Sequence, residues 1–252
     1  MAGISAVIIT RDEAHDIGRC IASVQGVADE VVVVDSGSTD DTCAIARAAG
    51  ARVVEHAWEG YAAQKNFANG LAVHDHILSL DADEALSPEL ARVILEVKRT
   101  GPHGAYRFAR LTNYCGTWVR HGGWYPDVKL RLFPKGAARW EGEHVHEELR
   151  LDAGTEVHDL KGDLLHWSYR SVKEHLERIE RYSDLHALKM NAEGRRATWT
   201  KRLFAPPFKF FQGYVLLLGF LDGLAGLRIA WYSAYAVAMK YTKLQRLGLA
   251  RT

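Results

Sequence analysis

Across the first ninety residues two hydrophobic periods take turns, and this alternation limits the possible folds more than any other feature. Residues 6–10 and 31–34 are short apolar runs rich in β-branched side chains, and 52–56 and 77–80 are weaker versions. Between them the spacing becomes helical: Ile17, Cys20, Ile21 and Val24 fall at i, i+3, i+4 and i+7, on one helix face. Residues 39–49 are Ala-rich, open on Thr39 and Asp40 as N-caps and close on Gly50 as a C′ residue. Residues 61–73 form a third helical segment. Ser87-Pro88-Glu89 opens a fourth, with a capping hydroxyl, a proline at the first helical position and an early carboxylate; Leu90, Val93, Ile94 and Val97 then share a face. Uniformly apolar strands separated by helices belong to a mostly parallel sheet covered on both faces. The expected class is therefore α/β.

In such sheets ligands bind outside the carboxyl ends of the strands. Three stretches lie there: Thr10-Arg11-Asp12-Glu13, Asp35-Ser36-Gly37-Ser38 and Asp81-Ala82-Asp83-Glu84. Together they make an acidic rim. Two carboxylates one residue apart at a strand end suit a hard divalent cation, which takes oxygen ligands and leaves room for substrate phosphate and water. An isolated Asp-x-Asp reads equally as a solvated turn, with Asp83 capping the next helix. Asp35, delivered by a buried strand, suits hydrogen bonding to a base or ribose; the alternative is an ordinary βα loop in which Ser38 or Thr39 caps the helix. No Gly-x-Gly-x-x-Gly follows the first strand and no Gly-x-x-x-x-Gly-Lys-Ser/Thr occurs, which disfavours dinucleotide and P-loop readings.

From 106 to 168 the pattern loosens. Strands are expected at 106–109, 128–133 and 164–166, in a mixed or antiparallel extension, with turns at Gly122-Gly123 and Pro134-Lys135-Gly136. Val172, Leu176, Ile179 and Tyr182 predict an amphipathic helix running to about Asn191, broken by Glu193-Gly194-Arg195-Arg196. A basic stretch ending at Lys201-Arg202 then leads into an aromatic and apolar tail that includes Phe204, Phe208, Phe210, Phe211 and Phe220. Its apolar runs fall short of the ~20 residues that span a bilayer. They suit a helical pair lying at a membrane interface, or a hairpin packed on the sheet or on a second subunit. The expected division is a sheet domain at 1–200 and a helical tail at 203–252.

Charge and cysteine content narrow the classes further. Thirty-two Lys+Arg against 31 Asp+Glu give +1 over 252 residues, which disfavours a globally basic nucleic-acid binder. Three scattered cysteines exclude a disulfide scaffold and fit a reducing compartment. The opening residues lack a basic n-region, so a signal peptide is not expected.

The segments Ala6-Val7-Ile8-Ile9-Thr10-Arg11-Asp12-Glu13, Asp35-Ser36-Gly37-Ser38-Thr39-Asp40, Gln64-Lys65-Asn66 and Asp81-Ala82-Asp83 together resemble family 2 glycosyltransferases of the GT-A fold. Within that family the chain most resembles bacterial lipopolysaccharide-core glucosyltransferases of the WaaE/LgtF type. The narrower likeness rests on Trp58-Glu59-Gly60-Tyr61-Ala62-Ala63-Gln64-Lys65-Asn66, on Pro126-Asp127-Val128-Lys129-Leu130-Arg131-Leu132-Phe133 and on Val145-His146-Glu147-Glu148-Leu149. It covers roughly residues 4–190 and does not fix the sugar.

The resemblance implies a GT-A sheet flanked by helices and a set of roles. Thr10, Arg11, Glu13 and Asp35 would form the nucleoside pocket, with Lys65 near the base or diphosphate and Ala82 beside the donor. Asp81 would touch the ribose or a Mg²⁺ or Mn²⁺ ion, Asp83 would bind the ion directly, and His166 or His146 could complete its shell. A structural histidine is an equal alternative for each, and Arg150 stands where a zinc protease would need a second histidine after His146-Glu147. An inverting transferase also needs a carboxylate to accept the acceptor's proton. Glu147 is the first choice and Asp127 the second, among Glu141, Glu143 and Glu148. Trp118, Trp124, Tyr125 and Trp140 could stack on acceptor sugar or serve as core. The implied partners are a UDP-hexose donor, a lipid-linked oligosaccharide acceptor and the cytoplasmic face of a bacterial inner membrane, without nucleic acid. A nucleotidyltransferase and a non-catalytic nucleotide-sugar-binding protein are the competing classes. The first lacks its Gly-rich loop after residues 6–10, and the second leaves Asp81 and Asp83 without a use.

Overall fold

The computed structural model describes residues 3–142 and 148–249. The expected parallel block is present. Strands β1 (Ile4–Thr10), β2 (Glu30–Asp35), β3 (Arg52–Glu55) and β4 (His76–Asp81) alternate with helices α1 (Ile17–Val24), α2 (Thr42–Ala48) and α3 (Tyr61–Leu71). They lie in the order β3-β2-β1-β4, all parallel. After β5 (Glu84–Leu86) and α4 (Pro88–Thr100) come β6 (Ala105–Tyr114), β7 (Thr117–Val119), β8 (Asp127–Pro134), a β9 (Ala138–Glu141)–β10 (Glu148–Leu151) pair, and β11 (Val157–Tyr169). The sheet continues past β4 as β8-β6-β11-β5, with β4–β8, β8–β6 and β11–β5 antiparallel.

The continuous apolar runs follow from burial on both faces. Because successive strand residues point to opposite sides, Ala6, Ile8, Val33, Leu78 and Leu80 pack into one cluster, with Ile17, Cys20, Ile21, Val24, Leu90 and Ile94 of α1 and α4. Val7, Val32, Val34 and Ile77 pack into the other, with Ala68 of α3. Each of these side chains, fully removed from water, contributes roughly 1.5–3 kcal/mol for the larger aliphatics.

Helix starts agree unevenly with expectation. The Ser87 hydroxyl accepts from the Leu90 amide at 3.2 Å, so α4 begins as the sequence predicts. Helix α2 begins at Thr42, later than Thr39 and Asp40 suggested: the Thr39 amide and hydroxyl both donate to Asp12 Oδ1, at 2.7 and 3.1 Å, while Asp40 Oδ1 accepts from the Thr42 amide at 3.0 Å and so still meets the helix start. Gly50 does close that helix, with φ +85° and its amide on the Arg47 carbonyl at 3.0 Å. Strand β5 has no signal in hydropathy. It pairs with β11 in the register Leu164↔Leu86, Leu165↔Ala85 and His166↔Glu84. Gly162 is what lets β11 pass the start of α4: at φ +96° a Cβ there would meet the Leu90 amide nitrogen at 2.5 Å.

The chain divides into two compact units, Met1–Arg110 with Asp127–His166, and Leu111–Pro126 with Trp167–Thr252. The second unit holds α5 (Val172–Ala192), α6 (Trp199–Phe211), a π turn (Gln212–Leu216), a short 3₁₀ turn (Gly219–Asp222) and α7 (Gly223–Leu249), with α7 packed along both α5 and α6. Among the described residues no single helix is long and apolar enough to cross a membrane; the pair Trp199–Leu216 and Gly219–Gly248, bent by 73°, would be so only together.

Within this unit the Tyr114 hydroxyl meets Nδ1 of buried His175 at 2.9 Å, with Tyr169 and Tyr232 against the imidazole. Burial first, then Arg178, push the His175 pKa down to about 4. The unfolded chain, with an ordinary histidine, binds more protons between about pH 6.5 and this lowered value. Stability is therefore lost as pH falls through that window, by roughly 3 kcal/mol for a shift of this size. In His175→Gln, whose amide oxygen can still accept from Tyr114, the slope of urea-unfolding free energy against pH from 6.5 to 4 should be shallower than in the parent. Equal slopes would contradict the assignment.

Candidate functional site

Strand register places the candidate donor residues in adjacent rows at one edge. Thr10 lies opposite Asp35 on β2, and Ile9 lies opposite Asp81 on β4. Asp35, only 1 % exposed, organises the loop that follows it: Oδ2 accepts from the Gly37 amide at 2.9 Å and the Ser38 amide at 2.8 Å, and Oδ1 accepts from the Ser38 hydroxyl. Gly37 is required there by its φ of +82°. The Asp12 amide donates to Ser38 Oγ and the Glu13 amide to Thr42 Oγ1, both at 2.8 Å, so the loops after β1 and β2 are stitched together. The Thr10 hydroxyl beneath them is buried without a hydrogen-bond partner, and the Arg11 side chain is exposed.

Three consecutive residues of α3 fasten this edge. Gln64 donates to Ser36 Oγ at 2.9 Å and accepts from or pairs with His56 Nδ1 at 2.9 Å. Lys65, 3 % exposed, reaches Asp81 Oδ1 at 3.0 Å and lies 4.3 Å from the Trp140 ring centroid. Asn66 holds the Trp140 backbone from both sides, Nδ2 donating to its carbonyl at 2.8 Å and Oδ1 accepting from its amide at 2.9 Å.

Behind Asp81 runs a ladder of alternating charge. Asp81 Oδ2 accepts from Arg131 at 2.7 Å, Arg131 also donates to Glu84 Oε1 at 2.8 Å, and Arg110 reaches the same Glu84 oxygen at 3.2 Å. Arg110 then donates twice to Asp127 Oδ2, at 2.9 and 2.6 Å, and Lys129 pairs with Asp127 Oδ1 at 2.9 Å. Burial alone would raise the Asp81 carboxyl; Arg131 and then Lys65 outweigh it and hold it well below the usual carboxylate range. Asp127 is likewise lowered, burial being outweighed by Arg110 and Lys129.

Asp83 has a different neighbour. Because β5 pairs with β11, His166 stands opposite Glu84, and its Nε2 lies 3.2 Å from Asp83 Oδ2. The other imidazole nitrogen is buried and unpartnered. A carboxylate and an imidazole side by side are a donor set that suits Mn²⁺ or Mg²⁺ when substrate phosphate and water fill the remaining positions. Asp81 does not join them: both of its oxygens are turned to Lys65 and Arg131. Among the described residues no group of three His, Cys, Asp or Glu side chains converges as a complete cage.

Thr10, Asp35, Lys65, Asp81, Asp83 and His166 thus belong to one unit and one end of its strands, with Arg11 and Glu13 in the loop after β1. The Ala82 side chain is buried in the core, so only its backbone is left to face a ligand. Glu147, with Glu143, His144 and His146, lies outside the described residues. The four aromatic candidates separate: Trp140 belongs to the first unit, while Trp118, Trp124 and Tyr125 belong to the second. Arg110 received no role from the sequence, Gln64 and Arg131 entered only within the segments that carry the family resemblance, and Glu84, read as part of the acidic rim, is instead fully buried. Along β8 Arg131 shares its face with buried Phe133 while Leu132 packs on the other, and with three successive residues buried the strand has no alternation that would single the arginine out.

A sheet whose parallel strands end in this carboxylate edge, extended by antiparallel strands that bring in a histidine, is the GT-A class of glycosyltransferase fold. A family model described as glycosyl transferase family 2 matches residues 5–151, and the chain belongs to that family. It is a glycosyltransferase. An uncharacterized glycosyltransferase of Rickettsia conorii is 30% identical over 98% of this chain and 91% of its own length. The lipopolysaccharide core biosynthesis glycosyltransferase LpsC of Rhizobium meliloti is 30% identical over 94% of this chain and 93% of its own. Among solved structures, glucosyl-3-phosphoglycerate synthase of Mycobacterium tuberculosis, crystallised with Mn²⁺, UDP and glucosyl-3-phosphoglycerate, matches 44% of each chain at 25% identity and a TM-score of 0.37.

Proposed function

We propose that the chain is an inverting, metal-dependent hexosyltransferase that moves glucose from UDP-glucose to a lipopolysaccharide-core or other lipid-linked saccharide at the cytoplasmic face of a bacterial inner membrane. The observation that carries this reading is the strand register, which sets Thr10 opposite Asp35 and Ile9 opposite Asp81 at one sheet edge, two residues before Asp83. The likeness to LpsC over nearly the full length of both chains supports the acceptor class.

In this reading the loops tied by Asp35 and Asp12 shape the nucleoside pocket above the buried Thr10 hydroxyl, with Arg11 and Glu13 at its rim. Lys65 supplies buried positive charge at the diphosphate end. Asp83 and His166 would hold Mg²⁺ or Mn²⁺, with Asp81 close behind; when bound, the ion offsets the charge of the departing nucleotide. The acceptor hydroxyl oxygen forms the new bond to the anomeric carbon as the bond to UDP breaks, and its proton passes to a carboxylate. Asp127 fits that task poorly, because Arg110 and Lys129 occupy its oxygens and lower its basicity. Glu147 remains the proposed base.

The test is release of UDP, and separately of pyrophosphate, from the purified chain with Mn²⁺ and a panel of nucleotide sugars, with and without core oligosaccharide. Acceptor-dependent UDP release, greatest with UDP-glucose, is the expected result. Tight UDP binding without turnover would favour a binding protein, and pyrophosphate release from UTP plus a sugar phosphate would favour nucleotidyl transfer.

A further inference from the structure

The chain's near-neutral sum conceals a sharp segregation of charge. From position 195 to the C-terminus ten Lys+Arg stand against one acidic residue, net +9, whereas the first 194 residues hold 22 basic and 30 acidic, net −8. The single carboxylate, Asp222, is consumed within the second unit: it accepts from the Arg120 and His121 amides and pairs with the His121 ring at 2.8 Å. Glu193, 3.6 Å from Arg195, and Glu180 and Asp184, on Lys243, are carboxylates of α5 and its end that meet this charge. Elsewhere like charges face one another. Lys240 is drawn below its ordinary pKa by burial and then by Arg195 and Lys209. A cationic group of this kind is stabilised when an anion joins it.

The same helices leave large apolar side chains in solvent. Phe204 and Phe208 on α6, Leu216 and Leu221 in the turn, and Leu224 and Trp231 on α7 are 57–64 % exposed. An exposed apolar surface of this kind marks an interaction site. Its helices are too short or too polar to cross a bilayer singly, which suits lying in an interface. A second copy of this chain is a poor occupant, because a two-fold contact through this face would set one strongly cationic surface against another.

We propose that α6, the turn at 212–222 and the start of α7 form a docking surface for an anionic lipid leaflet. Apolar side chains enter the acyl boundary, and the Lys and Arg side chains meet lipid phosphates. The lipid-linked acceptor of the proposed function explains why such docking would be useful, but lipid binding requires no turnover and is measured apart from it.

The experiment is co-sedimentation of the full chain with vesicles of phosphatidylcholine alone or mixed with phosphatidylglycerol, alongside titration of UDP into the same preparations. Binding to the mixed vesicles, weakened by salt, and little binding to phosphatidylcholine are expected. Lys201→Ala with Arg202→Ala should weaken binding roughly thirtyfold, at about 1 kcal/mol per cation near an anionic leaflet. Leu216→Glu with Leu221→Glu should abolish it, and UDP affinity should stay at the parent's value in both variants. Equal binding to both vesicle types, binding to neither, or a dimer that the Leu216→Glu/Leu221→Glu variant splits would overturn the proposal. Absence of UDP binding in the parent would instead count against the donor site and leave the lipid result standing.

Discussion

Asp83→Asn is expected to lower acceptor-dependent UDP release by on the order of a hundred- to a thousandfold while leaving the urea midpoint unchanged. The size follows from what the side chain is asked to do. A fixed charge aimed at a developing anion in a site shielded from water contributes far more than the same charge in solvent, and deleting one such contact costs about two to three powers of ten. Asp83 is the carboxylate of the edge whose near neighbour is an imidazole rather than a cation, with His166 Nε2 at 3.2 Å. The amide keeps the shape and a hydrogen bond to His166 but loses the charge. Asp81→Asn would confuse the issue, because Lys65 and Arg131 both depend on that carboxylate. An Asp83→Asn enzyme of near-parental rate would remove Asp83 from the chemistry.

The second large effect is on stability. Glu84→Leu is expected to destabilise the first unit by about 3–5 kcal/mol, the usual cost of breaking a buried ion pair by deleting one partner. Glu84 is fully buried and accepts from Arg131, from Arg110 and, through Oε2, from the Asp81 amide at 3.0 Å. Leucine would leave two guanidinium groups short of a carboxylate and one backbone donor unpaired. Glu84→Gln keeps one acceptor oxygen for the guanidinium groups and should lose distinctly less. Urea unfolding of the two variants checks this, and equal midpoints for Glu84→Leu and the parent would show that the ladder contributes nothing to folding. The ladder also explains why Asp127 suits support better than proton transfer.

The legible part of this fold was the part with a clean period. Runs such as 31–34 and the Ile17-Cys20-Ile21-Val24 face announce strands and helices because both sheet faces are covered, and the rim follows from where parallel strands end. Strand β5 was not legible: three residues directly after an Asp-x-Asp read as an acidic turn, and only pairing with β11, some eighty positions away, makes them a strand. That pairing places His166 beside Asp83. His166 is a candidate only through the family resemblance, beside His146 and with a structural role as the equal alternative, and not through any local pattern. The inward arginines were hidden for a related reason, since a charged residue in a strand reads as solvent-facing until the carboxylates that neutralise it are in place. Helix α2 shows the opposite failure. Thr39 has the right chemistry for a cap, but tertiary bonds to Asp12 claim it, and only Asp40, accepting from the Thr42 amide, meets the helix start.

Net charge misled in its own way. A sum of +1 disfavoured a uniformly basic surface, yet it also concealed an acidic edge in one unit and a cationic, apolar surface in the other.

The most direct measurement of the central claim is UDP release from UDP-glucose by the parent chain and by Asp83→Asn, with Mn²⁺, in the presence and absence of core oligosaccharide. Release by the parent that depends on the acceptor and largely disappears in Asp83→Asn is the predicted result. Release that is indifferent to the acceptor, or equal in the two proteins, would contradict a transferase whose donor is held at the carboxyl edge of β1, β2 and β4.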